Sequence, residues 1–337
     1  MEELHLASQI EGTLRHPIVC LSLLSWHLIA VFFIGASDPD IGLCERLMRP
    51  LTIKYPNGAI ILFLKARLHL IKGDIDNAIY FYGKSISVQD TYKQFHHVCW
   101  WELLFAYCYL KKWDRAANNA KKLLDESKWS RCCYTYMLGI LINADRSVPK
   151  RTDTVRILLE RVPQIRHRIA GKSIPVEKFC ARKSERFLKH GRLFFAHYEF
   201  LYFWNGFSIL STNKALVGPI LEDIEAEWEF AATDDKDDEC LYLLLKGVTL
   251  KIMGKLYEAE LCFLKIMEYE RIVTDFSYIV PNACFELAMT RQSLGSPDQA
   301  LSLLQRALTY RGYSLETKLH FRIQAAMEAL NNANSTE

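Results

Sequence analysis

Four times along this chain a small or aliphatic residue is followed twelve positions later by an alanine, and four positions after that by a third residue. Ala66, Ala78 and Tyr82 form the first set, and Leu104, Ala116 and Ala120 the second, which departs from the others in its last member. Gly247, Ala259 and Phe263 form the third, and Ala288, Ala300 and Leu304 the fourth. In three sets a glycine stands five residues before the alanine, at Gly73, Gly254 and Gly295. A step of four keeps two side chains on one helical face. Small residues let a second helix approach, and a glycine supplies the left-handed turn between them. The spacing therefore predicts antiparallel helix pairs that bury their faces by stacking on one another.

This is the pattern of a tetratricopeptide helical hairpin, and the fold class it predicts is all-α, a right-handed superhelix of stacked hairpins. Apolar periodicity places a degenerate first pair at 18–36 and 40–54, closed by Tyr55-Pro56-Asn57-Gly58. Further pairs fall at 59–72 with 75–88 and at 95–110 with 113–126. In the latter, Trp100, Leu103, Leu104 and Tyr107 follow the repeat consensus. Between Ala116 and Ala259 the motif is lost, although apolar helices continue at 129–143, 152–162, 193–211 and 214–231. A last pair at 279–294 and 298–309 precedes a polar-ended helix at 315–331, read as a cap. The chain is thus divided into a leading segment 1–17, hairpins over 18–126, degenerate hairpins over 127–238, and terminal repeats with the cap over 239–337.

Composition narrows the function. The chain has 337 residues, 42 Lys or Arg and 39 Asp or Glu, for a net charge of +3, which argues against a nucleic-acid binder. Ten cysteines lie in apolar stretches without a C-x-x-C pair, as expected of reduced thiols in a cytoplasmic protein. The run 18–36 carries no formal charge over nineteen residues, near the length that spans a bilayer. A buried helix of the first hairpin explains it equally, so membrane association stays open beside a cytoplasmic location.

The chain also resembles a particular family. The matching text includes Tyr55-Pro56-x-Gly58-Ala59, Gln94-x-x-His97-x-Cys99-x-Trp101-Glu102-Leu103 and Ser127-x-Trp129-Ser130. It continues with Ala170-Gly171-Lys172-x-Ile174-Pro175-x-Glu177-Lys178-Phe179 and Arg182-Lys183-x-x-Arg186-Phe187. Tyr278-Ile279-Val280-Pro281 and Phe321-Arg322-Ile323 complete it. Over about 10–330 the sequence is similar to the tetratricopeptide repeat protein 39 family, which includes fungal inclusion-body clearance proteins. The resemblance implies an all-helical adaptor, with members linked to lipid homeostasis, cilia or clearance of inclusions. Family members usually carry a further helical region ahead of the segment matched here. On that basis helix 18–36, apolar on every face, is expected to leave an exposed apolar patch that Leu24→Glu with Phe32→Glu would remove.

Candidate chemistry is sparse. Ala170-Gly171-Lys172-Ser173 ends like a phosphate-binding loop, but Arg166 stands where the first glycine is required. His96 and His97 have no metal-ligand spacing around them, and no nucleophile motif is present. No enzyme activity, metal or cofactor is expected. Residues 161–192 hold ten Lys or Arg and two acids, whereas 222–239 hold ten acids and one base. Lys172, Lys178, Arg182, Lys183 and Arg186 are therefore candidates for an anionic lipid, membrane surface or acidic partner, or else for pairing with the acidic segment. The inner face of the array is read at two motif positions. Phe63, Trp101, Leu244 and Phe285 occupy the fifth, and Arg67, Phe105, Val248 and Met289 the ninth. They lack the lysine and asparagine that clamp a peptide carboxylate in chaperone-binding repeats. This groove either receives an apolar helix from a protein partner or is filled by the chain itself.

Overall fold

A computed structural model of the chain describes every residue except Met1, Glu11, Leu14, Ala36, Ser37, Lys150, Ala170, Gly171, Ala232 and 335–337. Helix α1 (Glu2–Ser8) precedes a long apolar helix made of α2 (His16–Ser25), a π-helical turn (Trp26–Ala30) and α3 (Val31–Ile34). Helix α4 (Ile41–Lys54) folds back on it. Hairpins α5 (Ala59–Ile71) with α6 (Ile75–Ser87), α7 (Gln94–Tyr109) with α8 (Trp113–Glu126) and α9 (Arg131–Ala144) with α10 (Arg151–Arg161) follow. A short antiparallel pair, β1 (Arg168–Ile169) and β2 (Lys172–Ser173), leads into α11 (Pro175–His190), α12 (Ala196–Phe203) and α13 (Phe207–Thr212). After a 3-10 turn come α14 (Val217–Glu229), the hairpins α15 (Lys236–Ile252) with α16 (Leu256–Glu268) and α17 (Ile279–Ser293) with α18 (Pro297–Ala307), and α19 (Glu316–Asn334).

The repeat residues sit where small side chains are needed. Ala66, Ala78, Tyr82, Leu104, Ala116, Ala120, Ala259, Phe263, Ala288, Ala300 and Leu304 are each no more than 1% exposed. A methyl on Gly247 would meet the Phe263 ring at 2.6 Å, so only glycine lets α15 lie this close to α16. The turn glycines Gly73, Gly254 and Gly295 have φ of +78°, +82° and +77°. In the second repeat Lys111 takes the same place with φ +56°. It is anchored there by Asp223, whose carboxylate lies 2.8 Å from its ammonium. Ala259→Leu is expected to destabilise the protein by about 1–3 kcal/mol through overpacking. Lys255→Ala, at an exposed site in the same hairpin, should change stability by less than about 0.5 kcal/mol. Thermal melts compare the two, and equal tolerance would reject this register.

The superhelix closes on itself. Helix α19 packs on α18 and also on α3, and α13 packs on both α5 and α15. Side chains fasten the closure: Asn205 Nδ2 donates to the Phe32 carbonyl at 2.8 Å, and Asn213 Nδ2 to the Gly73 carbonyl at 2.9 Å. One buried apolar cluster runs through all these layers.

Two expectations from the sequence need correction, and one helix lies where the sequence sets no limits. The helix placed at 193–211 is broken into α12 and α13 at Asn205 (φ +62°), which turns the chain so that its amide reaches Phe32. The limits of helix α11 are not legible in sequence, because its charges obscure an inward face of Phe179, Cys180, Lys183, Ser184 and Phe187. The long N-terminal helix is apolar and long enough to cross a membrane, yet Leu24 and Phe32 are 0% and 8% exposed. They face α4, α5 and the closure rather than solvent, so they do not form the exposed patch. Its outward residues are Ile18 and Trp26, 65% and 40% exposed; Ala36 lies outside the described residues.

Candidate interaction site

The inner face of the array is largely occupied by the chain's own α12–α13. Phe63, Phe105, Leu244, Val248 and Phe285 are 4% exposed or less, while Trp101 and Met289 are half-buried. Phe200 and Trp204 stack on Phe105 with centroids 6.3 and 6.1 Å away, and Trp204 meets Trp101 edge-on at 5.0 Å. Arg322 from α19 lies 4.4 Å above the Phe285 ring. These eight positions thus do not form one open groove. The tight turn at Trp204–Gly206 folds an aromatic plug into the space that a partner helix takes in an open array.

Arg67 belongs to this interior. Its Nη1 donates to Glu102 Oε2 at 2.6 Å, and its Nε and Nη2 donate to the Leu28 carbonyl at 3.0 and 2.9 Å. The guanidinium also lies 4.5 Å above Phe32. Leu28 sits in the π-helical turn, where the regular i→i+4 ladder is interrupted, and Arg67 supplies a donor there. The long apolar helix is held in the fold by this contact.

What stays open on the inner face is a cavity of about 980 Å³ at its edge. Phe33, Trp101, Trp129, Tyr134 and Trp204 form its aromatic walls, and Gln94, His97, Glu126 and Lys128 provide polar groups. Trp129 is 78% exposed and stands beside the other aromatic walls of this cavity, so its ring extends the apolar surface open to a partner. Ser127 and Ser130 bracket it: the Ser127 hydroxyl accepts from the Trp129 N–H at 3.4 Å, and Ser130 caps α9 by accepting from Cys133 N at 3.3 Å. Trp129 and Trp204 were not singled out from the sequence as site residues. The available signal was a tryptophan set among Ser, Lys and Ser immediately before a helix start.

The basic candidates separate into two groups. Lys183 is buried against Glu199 at 2.9 Å, with its ammonium 3.6 Å above Phe276, and burial drives its pKa down. Arg186 binds Asp235 at 2.8 Å, Asp238 at 3.1 Å and also Asp275, while Arg192 joins Asp238 at 2.8 Å. Burial opposes the charge on Arg186, but these carboxylates outweigh it and hold its pKa above the ordinary value. Part of the basic segment therefore faces the acidic segment inside the protein, and Lys183 and Arg186 are not available to an external anion. Arg182 donates to the Ser314 hydroxyl at 3.3 Å. Lys178 is exposed; Lys172 lies on β2 and its side chain is outside the described set.

Buried thiols and His197 are held in their neutral forms. All ten cysteines are buried, and burial pushes the thiols of Cys44, Cys99, Cys132 and Cys240 up to about 12, far from a thiolate at neutral pH. Burial holds His197 down to about 3, so it remains neutral. Among the described residues no group of three His, Cys, Asp or Glu is placed to hold a metal.

Paired helices crossing at small residues, with left-handed turns at a fixed offset, define a tetratricopeptide-like repeat protein. Residues 1–253 match the family model Iml2/Tetratricopeptide repeat protein 39, and the chain belongs to that family. It is 50% identical over 330 residues to Tetratricopeptide repeat protein ttc-39B of Caenorhabditis elegans, covering 97% of this chain and 57% of that protein. The chain thus spans little more than half of that relative's length. Among solved structures it overlaps a tetratricopeptide repeat protein from Parabacteroides merdae with 12% identity and a TM-score of 0.37, over 91% of this chain and 99% of that one. The APC/C hetero-tetramer Cut9-Hcn1 overlaps it with 12% identity and a TM-score of 0.38, over 99% and 60%.

Proposed function

We propose that this chain is a non-enzymatic protein-interaction scaffold of the cytoplasm, which docks an apolar segment of a partner protein in the aromatic cavity around Trp129. The observation that carries the reading is the pairing of that cavity with a tryptophan left 78% exposed. Its polar rim and aromatic floor are the anatomy of a binding hot spot, in which a few aromatic residues supply most of the affinity. Membership of a repeat family built from stacked helical hairpins supports the same reading. Proteins captured by the wild-type chain should be lost with Trp129→Glu plus Val98→Asp, both at exposed positions, with the melting temperature unchanged. Retention of every captured protein by the folded variant would refute the docking site.

A second reading, a membrane-associated adaptor linked to lipid homeostasis or inclusion clearance, is favoured by the exposed apolar residues Leu6 on α1, Ile10 in the α1–α2 connection, Ile18 on α2 and Trp26 at the start of the π-helical turn. Peripheral attachment fits them better than a span, since Arg67 ties the middle of the long helix into the core. Carbonate extraction and flotation separate this from the soluble scaffold.

A further inference from the structure

A second cavity, of about 900 Å³, lies between the β1–β2 pair, the start of α11, α3 and α19. Arg166, Arg168, Lys178 and Lys318 line it, together with the polar groups of Ser173, Tyr313, Ser314 and Thr317. Phe33, Ile34, Leu315 and Phe321 form an apolar wall. Glu316 is the one acid among the described lining residues. Its Oε2 accepts from Gly312 N at 2.7 Å, and its Oε1 lies 4.0 Å from Arg311, so it is engaged outside the cluster.

Three features distinguish this cavity from the internal ion pairs of Lys183 and Arg186. No described carboxylate pairs with Arg166, Arg168, Lys178 or Lys318, although 39 acids are present in the chain. Two polar atoms on its walls, Arg166 Nε and the Tyr313 hydroxyl, are buried without a hydrogen-bond partner. Lys318 is half-buried, with the Phe203 carbonyl as its one hydrogen-bond acceptor among the described residues, and its ammonium lies 5.6 Å from the Trp204 ring. Burial and the nearby Arg322 bring its pKa down to about 7. Orphaned donors and uncompensated cations are costly in a folded protein unless something answers them. A phosphate or carboxylate in the cavity would accept from Arg166 and Lys318 in charge-assisted bonds, and Arg168 and Lys178 at the mouth would attract it.

We infer that this cavity binds an anionic amphiphile, with a phosphate or carboxylate head among Arg166, Arg168, Lys178 and Lys318 and an apolar body along Phe33, Ile34 and Phe321. Its volume falls within the range of small-molecule sites. The inference stands apart from the docking proposed at Trp129, whose cavity shares the Phe33 wall with this one but takes a different ligand.

Calorimetry and thermal melts of the whole chain test it with three probes: dodecyl phosphate below its micellar concentration, inorganic phosphate, and neutral dodecyl maltoside. Dodecyl phosphate should bind and raise the melting temperature, phosphate should bind more weakly, and dodecyl maltoside should not bind. Lys318→Met and Arg166→Gln should each weaken dodecyl phosphate by about tenfold or more, the scale expected for losing one charge-assisted bond. Without ligand, Lys318→Met should be at least as stable as wild type, because it removes a half-buried cation that no described carboxylate answers. A purely structural lysine would give the opposite result. Lys178→Gln, at an exposed site, is the variant whose folding is not in question, and it should weaken binding several-fold. Flotation with phosphatidic acid vesicles decides the source of the head group: loss of binding with Lys318→Met assigns a membrane lipid, and binding of monomeric amphiphile alone assigns a soluble one. Equal binding of the neutral surfactant, or undiminished binding by all three folded variants, would overturn the inference.

Discussion

Arg67→Ala is expected to lower the unfolding free energy by about 3–5 kcal/mol, the cost of leaving one partner of a buried ion pair uncompensated. The guanidinium is 1% exposed and answers two groups at once, the Glu102 carboxylate and the Leu28 carbonyl. Truncation leaves Glu102 buried with little beyond the Tyr82 hydroxyl, which donates to it at 3.4 Å. It also leaves the Leu28 carbonyl without these donors inside the π-helical turn. Arg67→Lys keeps the charge but not the planar fork that serves both acceptors, so an intermediate loss is expected. Adding Glu102→Ala to Arg67→Ala should restore part of the stability, since the uncompensated charge is removed as well. Urea titrations of wild type, Arg67→Ala, Glu102→Ala and the double variant give the coupling directly. If the midpoint of Arg67→Ala stays at the wild-type value, the N-terminal helix is not held to the array in this way.

How far such contacts are legible in sequence depends on their range. The repeat positions are legible because close helix crossing selects alanine and glycine at a fixed spacing, and the turn between paired helices selects a residue tolerant of positive φ. The helix limits of the hairpins follow from the same local rules, as in α8, expected at 113–126 and observed at Trp113–Glu126. The break at Asn205 is not legible, because its reason is the Phe32 carbonyl, 173 residues away in the chain. The closure of α19 onto α3 is hidden for the same reason.

The inner-face positions read as mostly apolar, and filling by the chain itself is one of the two occupants the sequence allows; which segment fills them is not legible, because nothing local tells a tryptophan at 204 to fold back on Phe105. Charge density likewise says nothing about direction. Arg182 and Lys183 are neighbours in sequence, yet a step of about 100° around the helix puts Lys183 on the face shared by Phe179, Cys180 and Phe187. That apolar spacing was a readable sign that Lys183 points inward. The cavity lined by Arg166, Lys178 and Lys318 draws on segments 140 residues apart in sequence, from Lys178 to Lys318, and only the fold assembles it.

Changing Arg182, Lys183 and Arg186 together to glutamine is expected to unfold the protein or bring it close to unfolding, whereas an exposed basic patch would tolerate the change. Lys183 and Glu199 are 3% and 1% exposed at their side chains and lie 2.9 Å apart, so Lys183→Gln alone strands a buried carboxylate at a cost of about 3–5 kcal/mol. Tyr278 also donates to Glu199, but a phenol leaves the charge in place. Replacing both partners, Lys183→Met with Glu199→Gln, should recover much of the loss. Arg186 adds a dependence on pH. Burial alone would raise the Asp235 carboxyl, but Arg186 and backbone N–H donors outweigh it and hold its pKa below the ordinary 3.8. A carboxyl depressed in the folded state contributes stability above its unfolded value and loses it as pH falls through the folded one. The gap in unfolding free energy between wild type and Arg186→Gln should therefore be widest near neutral pH and narrow as pH falls below about 4. Arg182→Gln, which gives up only a hydroxyl contact with Ser314, should cost less than about 1 kcal/mol at any pH. A constant gap between wild type and Arg186→Gln from pH 7 to pH 3 would mean that Asp235 does not carry its charge against Arg186, and the internal pairing of the basic and acidic segments would have to be redrawn.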